Sequence, residues 1–134
     1  MNEDQDSKSR ADVFSSGEYH YQLRAGMLRQ VHRDSNAIVR VHKPVGTKIV
    51  QVEPLTSGIV VREDYYQFPR GKSNLYLLDY ALTILWTADL PTPTDAYANP
   101  VHPQGEFLQC ASWEGWTCDI EPTTGRIINK EWSK

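Results

Sequence analysis

Two stretches of this chain repeat one pattern 42 residues apart, counted from Asp79 to Glu121. SNLYLLDYALTILWTADLP (73–91) reads as a strand, a turn at Asp79 and a second strand reaching Trp86. WTCDIEPTTGRIINKEW (116–132) reads the same way, with Glu121 opening a turn made by PTTG. Each is preceded by a strand that starts on glycine, GIVVRED from Gly58 and GEFLQCASWEG from Gly105. Internal similarity at one spacing constrains a fold more than composition does, because each copy must adopt the same local structure.

A fainter third unit starts at SNAIVRVHKPVGTKIVQVEPL (35–55) and shares its Ser-Asn with residues 73–74. The expected units are therefore about 35–56, 57–91 and 105–132. Residues 1–16 are polar and poor in bulky apolar side chains, so they are expected to form a disordered tail before one domain at 17–134. Between turns the chain reads as short runs of β-branched and aromatic residues, such as EYHYQLRA (18–25), NAIVRVHK (36–43) and EFLQCASW (106–113). A helical stripe is missing; LYLLDYALTILW (75–86) comes nearest, and Asp79 in its middle favours two strands. The fold class expected is all-β, with antiparallel sheets of hairpin units.

A period near 40 residues with four strands per unit is that of a β-propeller blade. EFLQCASWEGWTCDIEPTTGRI (106–127) and the strand–Asp–turn–strand–Trp pattern at 75–86 resemble the quinoprotein-type, pyrroloquinoline-quinone-like propeller repeat. The resemblance covers about residues 57–132 well and 35–56 poorly. This chain departs from the repeat at Asn129, near the place of its usual Trp, and at Ala81-Leu82, in place of Thr-Gly. Nothing matching the family's cofactor or metal ligands can be placed, so no cofactor is expected. Propellers close with about four to eight blades, and this length holds at most three. The expected architecture is a small sandwich or open barrel that keeps the blade motif, or a partial propeller. A homodimer of two partial rings, or a fragment of a longer protein, would also reconcile the count.

Net charge is −3, which gives no basic footprint for nucleic acid. No apolar run nears the roughly 20 residues of a membrane span. The N-terminal MNEDQDSKSRAD lacks an apolar signal core, so a cytoplasmic setting is expected. Cys110 and Cys118 fall on neighbouring strands and are expected as buried free thiols.

Catalytic signals are absent. The chain contains no G-x-S-x-G elbow, P-loop or G-x-G-x-x-G. Its four histidines (His20, His32, His42, His102) have no metal-ligand spacing, and no Cys-x-x-Cys occurs. The reading leans away from an enzyme and towards a protein-binding module, in one version a bacterial immunity or inhibitor-type protein covering a partner's surface. A self-assembling scaffold, and a small-ligand binder or enzyme with an unrecognised site, are the alternatives. Two long connections, YYQFPRGK (65–72) and the proline-rich 91–104, are where a binding surface is expected. Large aromatics with polar tips anchor interfaces, so the candidate contacts are Tyr65, Tyr66, Phe68, Arg70, Asp95, Tyr97, Trp113, Glu114 and Trp116. Lys72 joins Arg70 at the first loop's tip. Glu63, Asp64, Asp95, Glu106, Glu114, Asp119 and Glu121 are candidates for an acidic rim.

Overall fold

A computed structural model describes residues 12–133. Among the described residues twelve strands form three four-stranded antiparallel sheets, each a meander in chain order. The first holds β1 (Asp12–Ser16), β2 (Tyr19–Arg24), β3 (Met27–His32) and β4 (Ile38–His42). The second holds β5 (Ile49–Leu55), β6 (Gly58–Glu63), β7 (Leu75–Leu78) and β8 (Ile84–Thr87). The third holds β9 (His102–Gln104), β10 (Phe107–Ala111), β11 (Trp116–Ile120) and β12 (Ile127–Trp132). The expected all-β class of blade-like hairpin units is the fold observed.

The second sheet is sandwiched, and this explains its sequence. Ile59, Val61, Tyr76 and Leu78 pack with Tyr21 and Leu28 of the first sheet. Val60, Leu75, Leu77 and Trp86 pack with Leu108, Cys110, Cys118 and Ile120 of the third. Successive residues of β6 therefore face different neighbours, which requires a continuous apolar run rather than alternation. Each buried aliphatic side chain contributes about 1.5–3 kcal/mol of transfer free energy.

A repeated device joins the sheets. The Tyr21 hydroxyl donates to the Tyr80 carbonyl at 2.7 Å, and the Trp86 indole N–H donates to the Pro122 carbonyl at 2.9 Å. Tyr80 and Pro122 each follow the acid of a repeated turn. Asp79 Oδ1 accepts from the Ala81 and Thr83 N–H groups, both at 2.9 Å, and Glu121 Oε1 accepts from the Thr124 hydroxyl at 2.7 Å. Leu82 holds φ 66° where Gly125 holds 79°, so leucine takes the left-handed position for which the repeat normally supplies glycine.

The unit boundaries need correction. Residues 35–56 are not one unit: β4 ends the first sheet and β5 begins the second. KPVGTK (43–48), which falls inside that expected unit, is the connection between sheets. The sheet containing Gly58 begins at Ile49, and the last sheet gains His102–Gln104. This last strand lies at an edge, where Pro103 removes no needed ladder bond. The tail also ends earlier than expected, because Asp12–Ser16 pairs with β2 and Phe14 stacks on Tyr21 at 4.8 Å. Residues 1–11 lie outside the described residues.

Candidate functional site

The two long connections meet. Residues 65–72, between β6 and β7, and residues 94–96, between β8 and β9, wall a cleft of about 230 Å³ together with Trp113. A second depression of about 570 Å³ is lined by Val45, Phe68 and Gly71–Ser73 and by Thr87, Ala88 and Leu90–Pro93. Loop 65–72 thus borders both.

Three buried brackets hold these loops. Glu63 is fully buried at the end of β6. Its carboxylate accepts the backbone N–H groups of Val45 at 2.6 Å and of Gly46 and Thr47 at 2.9 Å. It also accepts the Tyr76 hydroxyl at 2.5 Å, and Tyr76 in turn is 2.7 Å from His42 Nε2. Burial opposes the Glu63 charge, but the hydrogen bonds from Thr47, Tyr76, Val45 and Gly46 outweigh it and hold its pKa below the usual carboxylate value. The tightened 45–47 turn supports the loop from below: a Cβ on Gly46 would lie 2.6 Å from the Phe68 ring.

Asn74 is the second bracket. Its Nδ2 donates to the carbonyls of Glu63 at 2.7 Å and Tyr97 at 2.8 Å, and its Oδ1 accepts the Tyr97 N–H at 2.9 Å. One buried amide thereby ties the feet of both loops together. The third bracket is Asp95, whose Oδ1 accepts the N–H groups of Ala96 at 2.8 Å and Glu114 at 2.9 Å. The Glu114 carboxylate accepts the hydroxyls of Thr92 at 2.8 Å and Thr94 at 2.7 Å, and these bonds lower its pKa. Trp113 N–H donates to the Ala96 carbonyl at 2.8 Å.

Of the nine candidates, Tyr65, Tyr66, Phe68, Arg70, Asp95 and Trp113 line the cleft, as does Lys72. Glu114 stands beside it as a brace. Two candidates are placed elsewhere. Tyr97 is 0% exposed and belongs to the core, with its hydroxyl on the Asp89 carbonyl at 2.5 Å. Trp116 packs against the core on the third sheet, 5.1 Å from Trp132 and under Lys130. Sequence position alone does not distinguish Tyr66, on a loop, from Tyr97, held by a backbone bridge to Ser112.

Two of the acids expected at a rim are buried, and four others are engaged by nearby donors or caps. Glu63 and Asp95 are buried, Glu121 serves its turn, and Asp119 accepts from Gln109 and Asn129 on the sheet-three face that carries them. Asp64 caps the Tyr66 N–H at 3.1 Å. Asn74 was missing from the candidates; the Ser-Asn repeated at 35–36 and 73–74 was the available signal.

Cys110 and Cys118 lie directly opposite each other on β10 and β11 and are free thiols. Burial pushes Cys110 up to about 12 and Cys118 up to about 11, so neither is a nucleophile near neutral pH. Among the described residues no group of three or more His, Cys, Asp or Glu side chains is placed to hold a metal ion. No helix among them is long and apolar enough to cross a membrane.

No family model matches the sequence, and no curated protein does. Solved structures match in fold. The computationally designed Ika4 protein superposes with a TM-score of 0.64 at 9% identity, over 90% of this chain and 70% of that one. The WD40 domain of Pan2 from Neurospora crassa gives 0.58 at 8% identity, over 93% of this chain and 38% of that one. BamB from Moraxella catarrhalis gives 0.51 at 17% identity, over 88% of this chain and 38% of that one. The chain thus spans well under half of the WD40 and BamB chains. At such identities the likeness concerns fold alone, and the fold is propeller-like, with three consecutive blade-like sheets.

Proposed function

We propose that this protein is a non-catalytic binding module whose loop cleft engages another protein. One observation carries the reading. Tyr66 and Trp113 are 68% and 56% exposed at a cleft whose loops are braced from beneath by Glu63, Asn74 and Asp95. Large exposed aromatics on a pre-organised backbone are the usual anchors of a protein interface, because little entropy is lost on docking. At about 230 Å³ the cleft is smaller than the roughly 300–1,000 Å³ of typical small-molecule sites. It suits a side chain projecting from a larger partner. The concrete form we favour is an immunity or inhibitor-type protein that covers a partner's surface, acting in the cytoplasm. Two buried, unpaired thiols in register agree with a reducing compartment.

Affinity capture from the native host, with captured proteins identified by mass spectrometry, tests the proposal. The wild-type protein is expected to retain a specific partner that Tyr66→Ala and Trp113→Ala lose. Equal recovery by all three proteins, or no specific partner, would overturn it.

A further inference from the structure

The charges around the cleft are sorted by sign. Asp64 and Glu114 adjoin lining residues in the chain, and each is taken up by the protein's own donors. Asp64 holds the Tyr66 N–H, and Glu114 holds the Thr92 and Thr94 hydroxyls, one on each oxygen. Asp95 is the one acid among the lining residues. It is only 5% exposed, with Oδ1 on two backbone N–H groups and Oδ2 buried, so it presents almost no charged surface. Arg70 and Lys72 are the opposite case: both line the cleft and both are exposed. Among the described residues neither side chain makes a hydrogen bond, an ion pair or a ring contact. They also share one tight turn, in which the Lys72 N–H donates to the Pro69 carbonyl at 3.2 Å and Gly71 holds φ 80°. Two like charges on such a turn repel each other, and an anion bound between them relieves the repulsion.

We propose that the partner's docking segment carries an acidic side chain beside the apolar one that enters the cleft, and that Arg70 and Lys72 receive its carboxylate. This rests on the reading of the cleft as a partner-binding site and names the chemistry of what binds there. The rings of Tyr65, Tyr66, Phe68 and Trp113 suit the apolar side chain. Arg70 offers a carboxylate a two-pronged donor and Lys72 a point charge. Phe68, Gly71 and Lys72 also line the second depression, whose lining contains no acid, so a segment that continues there meets no like charge. Aromatic rings beside cations would also serve single-stranded nucleic acid, but two cations on a chain of net charge −3 make no track for a phosphate backbone. On an acidic protein the positive turn instead steers an acidic segment to this one place.

The probe is the capped tripeptide N-acetyl-glutamyl-phenylalanyl-glutamyl amide, compared with its glutaminyl and lysyl counterparts and with oligothymidylate. The readout is the Trp113 indole resonance, assigned with Trp113→Phe. The glutamyl peptide is expected to give a saturable shift. The glutaminyl peptide should bind at least about threefold more weakly, a modest factor because exposed charge pairs are individually weak. The lysyl peptide and the oligonucleotide should give no saturable shift. Salt at about 1 M, where the Debye length is about 3 Å, should make the glutamyl and glutaminyl peptides equal. The double variant Arg70→Gln/Lys72→Gln changes two exposed side chains that hold nothing in the chain. It is expected to unfold like wild type and to bind both peptides equally. Equal binding of the two peptides by the wild-type protein, an unchanged preference in the double variant, tighter binding of the oligonucleotide, or no saturable response would each overturn the inference. The peptide comparison on the wild-type protein decides the matter even where the variant fails to fold. Full capture of the partner by the double variant, alongside its loss by Tyr66→Ala, would sink the acidic segment and leave the protein-binding reading standing.

Discussion

The indole of Trp86 lies against Gly125, so close that a Cβ there would sit 2.5 Å from its Cε3. Trp86 belongs to the second sheet and Gly125 to the turn of the third, and the indole N–H is anchored on Pro122 in that same turn. The contact therefore fixes how two sheets stack, and it requires both the missing side chain and a φ of 79°.

Gly125→Ala is expected to destabilise the fold by about 2–4 kcal/mol, from overpacking plus a left-handed backbone. Gly71 provides the comparison: its φ is 80°, and nothing lies within 4 Å of its would-be Cβ. Gly71→Ala should cost only about 1 kcal/mol, the backbone part alone. Urea unfolding of both variants measures the difference. Equal losses would mean that the Trp86 contact yields without resistance.

Glu63 gives a pH dependence with a definite sign. Its pKa in the folded protein lies below the usual value of 4.5. The stability it contributes is present above that usual value and is lost as pH falls through the lower, folded one. Glu63→Gln removes the charge while keeping the shape, and is expected to destabilise by about 2–4 kcal/mol near neutral pH by weakening four bonds to a buried group. Denaturant titrations from neutral to acid pH should show the variant losing less stability than wild type below the ordinary carboxylate range. Parallel curves would count against the bracket.

His42 titrates with the opposite chemistry in a higher window. Burial lowers its pKa from 6.5, and the Glu63 charge only partly offsets this. As pH falls below 6.5 the unfolded chain takes up a proton that folded His42 resists, so stability declines until the folded pKa is reached. His42→Gln, which keeps a polar group near the Tyr76 hydroxyl, should flatten the stability curve just below 6.5. An unchanged slope there would show that His42 titrates freely in the folded state.

Asn74→Asp should uncouple the loops from their base. The substitution replaces an amide that donates to two carbonyls with a buried acid facing the same carbonyls. A loss of about 2–4 kcal/mol is expected. Faster hydrogen exchange should appear at the Tyr97 N–H, which Asn74 Oδ1 now holds. Native protection there would show that the loops stand without the amide.

Much of the fold was legible because its signals are local. The acids at 79 and 121 mark equivalent turns, and the continuous GIVV of β6 marks a strand buried on both faces. The first sheet was harder to read. β4 is mostly exposed, and Tyr19, Tyr21 and Leu23 alternate with His20, Gln22 and Arg24, because one face alone packs on a neighbour. Nothing in KPVGTK distinguishes a hairpin turn from a passage between sheets; the difference arises from Glu63, a residue 16 positions beyond Thr47. The cleft was half legible for the same reason. Loop length pointed to both walls, but the burial of Tyr97 and the inward turn of Glu63 and Asp95 are set by contacts distant in sequence.

Tyr66 separates a binding role from a structural one. At 68% exposure its ring contributes little to folding, so Tyr66→Ala is expected to change unfolding free energy by no more than about 0.5 kcal/mol. An aromatic at the centre of an interface costs about 2 kcal/mol or more when truncated, a loss of roughly thirtyfold in affinity. The expected outcome is therefore a variant with wild-type urea unfolding and at least that loss towards the captured partner, measured by calorimetry. Full affinity in this variant would remove Tyr66 from the interface. A loss of stability matching the loss of affinity would make the ring a support of the loop rather than an anchor.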